Sequence, residues 1–368
     1  MKEYLDTLKT SQAKIICYGA SEGGRRSLDI LSDNGIFVDY FADTYKHGGL
    51  FHGIKVLSPE ELLHIDKCEP VEVIITSSAA TQIYQHLKNL GIKGRIGAMP
   101  LLYIINDPEI LSSITEEGIN HFSSAIAEMR QSLAEEVSLK VFDLLISARL
   151  SCKPEHYFQA YNLSVSASGK RQYLPSELHR RLTERPLSVV DCGAFTGDTV
   201  EEMAGWGISF AESWCFEPDS DNYKRLKKQI TEFGLNSRVH PVNSGVFDKT
   251  SVLLFNKKGA LDSRITEEGS ESISVVALDD YLADKQIDFI KMDVEGAEME
   301  ALIGAKRIIE RCRPILAISV YHRFNDITRI PLYLMNWLTD YSFMLRHYSL
   351  FISETIFYAI PCTKSGGY

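Results

Sequence analysis

The 368-residue chain reads as an α/β protein: two Rossmann-like, doubly wound parallel-sheet domains joined by a helical connector. Three observations carry that reading. Short apolar runs alternate with helix-period segments in both halves, a pattern that produces parallel strands covered by helices. Each half opens with a strand that breaks into a glycine turn and then a helix, at Gly19–Gly24 and at Gly193–Gly197. Residues 105–185, between them, change character and place apolar side chains at helical spacing. The expected boundaries are therefore 1–104, 105–185 and 186–368. This length favours more than one domain, each able to bury a sizeable core.

The first domain is taken in order. Ala13–Gly19 is a buried strand, followed by the turn Gly19-Ala-Ser-Glu-Gly-Gly24 and a helix over Arg25–Asn34 closed by Gly35. Phe37–Ala42 is a second strand that ends at Asp43. Ser58-Pro-Glu-Glu61 has the form of a helix start, with a serine cap, proline at the first position and glutamate at the third. Val71–Ile75 is a third strand, and Thr81–Leu90 a helix stopped by Gly91. The glycine turn has Ser21 where a dinucleotide loop has its second glycine, which weakens a NAD reading. Asp43, at a strand end, is a candidate to hold a ribose; a scaffold or oligomerisation domain without ligand is the competing reading.

The connector follows. Ile126, Met129, Leu133, Val137, Val141, Leu144, Leu145 and Ala148 fall on one helical stripe over Ser124–Leu150. Pro154, Gly169 and Pro175 punctuate the rest. Tyr173, just before the second domain, reads as a ligand contact or as core or lid packing.

In the second domain Val189–Cys192, Trp214–Phe216 and Val239–Val242 are strands, with a helix over Asn222–Phe233 capped by Asp219. Val252–Phe255 and Ile273–Val276 form an inserted pair joined by the loop Lys257–Ser272. Ile287–Met292 is the fourth main strand, Met299–Glu310 a helix, Ile315–Val320 the fifth strand and Leu332–Thr339 a helix. Phe343–Tyr348 and Thr355–Ile360 close the chain as an antiparallel hairpin.

Composition narrows the partners. A formal net charge of −10, without basic runs, argues against nucleic acid or an anionic membrane as the main partner. Seven scattered cysteines with no CxxC pair read as reduced thiols in a cytoplasmic protein, with no zinc or other metal motif. Met1–Thr10 lacks the apolar core of a signal peptide, and no apolar run approaches the ~18 residues that span a bilayer. The oligomeric state is left open; a homo-oligomer is one option.

The stretch Ser188–Thr199 organises the second domain. Its spacing is G-x-x-x-G after Asp191, which fits an S-adenosylmethionine loop better than a pyrophosphate loop. That ligand carries a cationic amine and a sulfonium, so Asp191 is a suitable neighbour. An ordinary strand–turn–helix corner is the bland alternative. In open parallel sheets, ligands bind beyond the carboxyl ends of the strands. Those ends carry Asp191, then Glu217-Pro218, then Asn243-Ser244 with Val246 and Phe247, then Asp293-Val-Glu295-Gly296, then Tyr321-His322. Glu217 follows the glycine turn at about the offset where an acid bonds ribose hydroxyls. Asp293, Glu295 and His322 are candidates for general base work. His347, inside a strand pattern, reads better as a core histidine. A metal-assisted variant would use Asp293, Glu295 and His322, but the sequence shows no tight ligand motif.

Asp191-Cys-Gly-Ala-Phe-Thr-Gly-Asp-Thr199, Phe216-Glu-Pro218, Ile290-Lys-Met-Asp-Val-Glu-Gly-Ala-Glu298 and Ser319-Val-Tyr-His322 together resemble the FkbM family of S-adenosylmethionine-dependent methyltransferases. The resemblance covers roughly 186–360, with echoes at Glu135-Glu-Val-Ser and Gln172-Tyr-Leu-Pro. It implies a class I methyltransferase sheet and O-methylation of a sugar, glycan or natural-product hydroxyl. By position it implies that Asp191, Gly193 and Gly197 hold the methionyl part, with Ala194, Phe195 and Thr196 of the same turn also binding the cofactor. It puts Glu217 at the ribose with Pro218 also touching the cofactor, Ser244 to Phe247, Val246 included, near the adenine, and Asp293, Glu295 and His322 before the acceptor, with Asp293 counted as a cofactor contact too. Separately, Tyr18-Gly-Ala, Phe41-Ala-Asp43, Gly53-Ile-Lys-Val and Ser58-Pro-Glu-Glu resemble the nucleotide-sugar-binding part of sugar N-acyltransferases, which suggests a nucleotide-sugar at the first domain. A non-catalytic nucleotide- or nucleotide-sugar-binding sensor or assembly protein is the alternative. A NAD oxidoreductase is disfavoured by Ser21.

Overall fold

A computed structural model describes residues 2–77, 79–98, 116–257, 263–265 and 271–362. The chain divides into two compact units. One comprises Met1–Phe122, Lys140–Leu163 and Ser349–Ser353; the other comprises Ser123–Leu139, Ser164–Tyr348 and Glu354–Tyr368. The expected boundary near residue 104 lies outside the described residues.

The first unit is built on a six-stranded sheet of β1 (Lys14–Tyr18), β2 (Tyr40–Ala42), β3 (Leu50–Phe51), β4 (Ile54–Leu57), β5 (Val71–Ile75) and β6 (Arg95–Ala98). The order is β3-β4-β2-β1-β5-β6, parallel throughout except for the β3–β4 pair. The capping box expected at Ser58 forms: Ser58 Oγ accepts from the Glu61 N–H, and the Glu61 carboxylate accepts from the Ser58 N–H. The second strand starts three residues later than predicted, because the Asp39 carboxylate binds the Ile15 N–H and the Lys14 ammonium from outside the ladder. Two helices escaped the sequence pattern. Among the described residues, Lys2–Thr10 buries Tyr4, Leu5 and Leu8, too sparse a stripe to read. Pro154–Ser168 begins at a proline that starts the helix where it was read as breaking one. Asp43 does not stand open at the strand end: it accepts the backbone N–H groups of Ala20, Tyr45 and Lys46 and so braces the first glycine turn.

The second unit has its main strands as β7 (Leu187–Cys192), β8 (Phe210–Phe216) and β9 (Val239–Val242). A small sheet follows, of β10 (Gly245–Val246), β11 (Ser251–Lys257), β12 (Ser263–Ile265) and β13 (Glu271–Val276). The main sheet then resumes with β14 (Phe289–Met292), β15 (Ile315–Ser319), β16 (Tyr341–His347) and β17 (Thr355–Pro361). The main order is β16-β17-β15-β14-β7-β8-β9. Five strands are parallel, and β17 runs antiparallel to β15 and β16. The strand order reverses between β7 and β14, which opens a crevice at their carboxyl ends. The expected loop Lys257–Ser272 contains β12; residues 258–262 and 266–270 lie outside the described residues. The helix predicted over Met299–Glu310 is two, Glu298–Ile303 and Lys306–Cys312, split at Gly304. A Cβ at Gly304 would sit 2.0 Å from the Phe247 carbonyl oxygen, so only glycine lets the backbones meet there.

The single helix predicted over Ser124–Leu150 is likewise two, Glu116–Ser132 and Glu136–Ser151. Glu135, in the break between them, is engaged elsewhere. Both its oxygens receive the guanidinium of Arg346 at 2.6 and 2.8 Å. Arg346 is fully buried; it also meets Glu177 at 3.1 Å, Ser168 Oγ at 2.6 Å and Ser138 Oγ at 3.1 Å. Its neighbour His347 is a core histidine, with Nδ1 2.9 Å from Thr355 Oγ1.

Removing the guanidinium leaves two carboxylates around a buried gap. Arg346→Met should lower unfolding stability of the second unit by about 3 kcal/mol. All three tryptophans, Trp206, Trp214 and Trp337, belong to that unit, so fluorescence-detected urea unfolding reads it directly. An unchanged midpoint would refute the assignment.

Candidate active site

The crevice is organised by a buried ion pair. Register pairs Lys291 with Asp191 across β14 and β7, so the two side chains rise together. Lys291 Nζ is 3.0 Å from Asp191 Oδ1, and the pair is almost wholly excluded from solvent, at 4% and 1% exposure. The ammonium also donates to the Gly193 carbonyl at 2.5 Å and stands 5.2 Å from the ring centre of Tyr173. Burial raises the Asp191 pKa, with Lys291 opposing it. Burial acts against the charge on Lys291, yet Asp191 and Asp293 outweigh it and hold its pKa above the ordinary lysine value. Asp191, expected beside the cationic part of a ligand, therefore meets a cation of the chain itself.

The glycine turn crosses from β7 toward β8. The N–H groups of Gly193 and Ala194 both donate to the Phe216 carbonyl, at 3.0 and 2.9 Å. Gly193 has φ +80°, and a Cβ there would lie 1.9 Å from the Asp293 carbonyl oxygen. The turn and the end of β14 thus touch backbone to backbone. Phe195 holds φ +46° and leaves its ring half-exposed, while Ala194 packs its methyl into the core. Thr196 is half-buried, and Gly197, at φ +97°, caps the helix Asp198–Gly205.

Glu217 lies across this turn. One carboxylate oxygen accepts the Phe195 N–H and the other the Asp219 N–H, each at 2.9 Å. Burial pushes its pKa up to about 7, against those two hydrogen bonds. Asn243 Nδ2 donates to the carbonyls of Glu217 and Pro218 and fixes the strand end. Ser244 and Val246 are buried; the Ser244 hydroxyl donates to the Ser274 carbonyl.

Asp293 is the hub of the other wall. Tyr173 donates its hydroxyl to Oδ2 at 2.7 Å, and Tyr321 donates to Oδ1 at 3.2 Å. His322 Nε2 is 3.3 Å from Oδ1. Burial pushes the Asp293 carboxyl up, but His322, Lys291 and the Tyr173 hydroxyl bring it below its ordinary value. The second expected acid, Glu295, is exposed, its side chain 71% open, with Oε2 3.5 Å from His322 Nε2. The acid that partners His322 closely is instead Glu298: fully buried, its Oε1 lies 2.9 Å from Nδ1 and accepts the Val294 N–H. Asp293, Glu298 and His322 each bring one oxygen or nitrogen within 4.8 Å of the others. Both imidazole nitrogens face carboxylates, so the imidazolium is the cation that balances them. Burial pulls the His322 pKa down, but Glu298, Asp293 and Glu295 outweigh it and push it up to about 10. His322 therefore carries its proton near neutrality and has no lone pair for a base.

Sequence reasoning placed Tyr321 at its strand end without a role, and missed Lys291 and Glu298. Lys291 left a signal, as a lone charge in an otherwise apolar strand. Glu298 left one in its place at the start of a helix after Gly296. Among the described residues, no helix is long and apolar enough to cross a membrane.

Two outcomes follow from these charges. Lys291→Met leaves Asp191 buried and unpaired and should cost about 3 kcal/mol in urea unfolding; adding Asp191→Leu should recover much of it. A double variant as unstable as the sum of the singles would sink the pairing. For His322, the folded pKa near 10 exceeds the ordinary 6.5. Its contribution to stability is thus complete below pH 6.5 and lost as pH rises toward 10. His322→Gln should flatten that part of the stability–pH curve, and an unaltered slope would reject the assignment.

Residues 191–345 match the model of the methyltransferase FkbM domain. Among solved structures, the chain resembles a methyltransferase FkbM from Methylobacillus flagellatus KT, at 22% identity and TM-score 0.65, over 97% of this chain and 92% of that one. It also overlaps an rRNA methylase from Streptococcus thermophilus, at 13% identity and TM-score 0.35, over 51% of this chain and 93% of that one. An O-methyltransferase from Bacillus cereus aligns at 14% identity and TM-score 0.34, over 56% of this chain and 90% of that one. No curated protein sequence matches the chain. The first of these structures shares the fold along nearly the whole chain, and the family match falls on the strands that frame the crevice. Over residues 191–345, then, this chain is similar to the methyltransferase FkbM domain.

Proposed function

We propose that this chain transfers a methyl group from S-adenosylmethionine to a hydroxyl of a sugar, glycan or natural-product acceptor. The carrying observation is the pairing of Glu217, held by two backbone N–H groups beside the glycine turn, with Asp293 across the strand reversal. A carboxylate at the end of β8 suits the two hydroxyls of a ribose, so the donor set fits this ligand. S-adenosylmethionine brings a methyl group already activated by its sulfonium charge. The chain's part is alignment and removal of one proton. Glu217 holds the nucleoside end, and the turn from Gly193 to Gly197 follows the methionyl end. Asp293 is less deeply buried than Asp191, and of the acids around His322 it alone also receives two tyrosine hydroxyls. In this reading it orients the acceptor hydroxyl and takes its proton as the oxygen gives its electron pair to the methyl carbon and sulfur leaves. His322 and Glu298 keep Asp293 in place. The acidic balance of the chain favours a small molecule or glycan over nucleic acid, and its seven free cysteines favour a reducing, cytoplasmic setting.

Calorimetric titration with S-adenosylhomocysteine, beside NADH and UDP-sugars, tests this reading. Binding on the order of micromolar by the first alone is expected, and Asp293→Asn should leave that affinity within about two-fold while cutting turnover ~100-fold. A clear signal from NADH or a UDP-sugar with none from S-adenosylhomocysteine would overturn the proposal.

A further inference from the structure

We propose that Gln172 and Tyr173, both upstream of the family match, are a positioning pair that fixes which way the Asp293 carboxylate faces the acceptor. The inference rests on the role given to Asp293 above. Its geometry is directional. Tyr173 is buried, and its hydroxyl is 2.7 Å from Asp293 Oδ2. A hydroxyl has one hydrogen, and it rotates unless a second partner decides its direction. Gln172 Nε2 is that partner: it donates to the Tyr173 oxygen at 2.9 Å, so the tyrosine proton is left pointing at Asp293. Gln172 is itself held at both ends. Its side-chain amide nitrogen also donates to Glu354 Oε2, which requires the NH2 side to face this way, and its backbone carbonyl accepts the Tyr358 hydroxyl. Glu354 is presented from a backbone with φ +58°, just before β17. The order of donation is therefore Gln172 to Tyr173 to Asp293, anchored by Glu354. The Tyr173 ring is fixed as well, against the Lys291 ammonium.

Tyr173 takes one of the two lone pairs of Oδ2, while both lone pairs of Oδ1 are met, by Tyr321 at 3.2 Å and by His322 at 3.3 Å. The second lone pair of Oδ2 is the one left to meet an acceptor, and the Tyr173 bond sets its direction by holding the plane of the carboxylate.

The test reads Asp293 directly. Protein labelled with carbon-13 at the aspartate side-chain carboxyl is titrated by NMR, and Asp293→Asn identifies the resonance. The groups facing Asp293 are Lys291 from β14, Glu295 and Glu298 after it, Tyr321 and His322 after β15, Glu354 before β17, and Tyr173. Tyr173→Phe changes only the last, and loss of a hydrogen bond to a charged acceptor should raise the Asp293 midpoint by about one pH unit. Gln172→Leu should raise it by less, because the hydroxyl is still present but no longer directed. S-adenosylhomocysteine affinity should be unchanged in both variants, since neither residue hydrogen-bonds Glu217 or the glycine turn and Tyr173→Phe keeps the ring. An Asp293 midpoint unmoved in Tyr173→Phe overturns the proposal. If that variant fails to fold, an unmoved midpoint in Gln172→Leu does so. Failure of the parent protein to bind S-adenosylhomocysteine would sink the methyltransferase reading and leave this titration standing.

Discussion

The second unit depends on one buried ion pair, Asp191 with Lys291, at the point where its strand order reverses. A buried pair of this kind adds little net stability, because each charge has lost its water. What it adds is definition. The register of β7 against β14 is fixed by a pair that tolerates no slip, since a one-residue shift would separate the charges and bury both alone. From that fixed point the Lys291 ammonium reaches the carbonyl of Gly193 and the ring of Tyr173. The cofactor-side turn and the acceptor-side tyrosine are thus set by the same side chain.

The same economy of parts recurs in the backbone. Gly193 approaches Asp293 so closely that no side chain fits between them. The turn proposed to follow the methionyl group and the residue proposed to take the proton are one rigid piece, with no hinge to tune separately. The acidic wall is balanced in a similar way, by an imidazolium enclosed between Glu298 and Asp293. Asp293 can then remain ionised in a half-buried place where an isolated carboxylate would take up a proton.

Much of this was legible in the sequence, for local reasons. Apolar runs, glycine turns and caps are encoded over a few adjacent residues, so Val71–Ile75 and Val239–Val242 match the predicted strands to the residue. Strand ends followed from the strands, and with them Glu217, Asp293 and His322. What stayed hidden depended on distance along the chain. Tyr173 precedes Asp293 by 120 positions, and Gln172 precedes Glu354 by 182. The protonation of His322 follows from Glu298, whose burial no local pattern announces. Asp191 was read as a ligand contact because nothing nearby in sequence identifies Lys291 as its partner. The helix break at Glu135 was hidden because its cause, Arg346, lies 211 residues downstream.

That last separation bears on how the chain is made. Arg346 and Glu135 belong to the same unit, and so do Gln172 and Glu354. The first unit, for its part, takes in Ser349–Ser353. On a ribosome neither unit has its full set of contacts until the last few turns of synthesis, although the residues of the first sheet emerge early. Residues 123–139 and 164–168, which belong to the second unit, must wait for strands still inside the exit tunnel. A nascent chain stalled before residue 346 is therefore a target for chaperones or proteases, and no single cut in the chain would yield two whole halves.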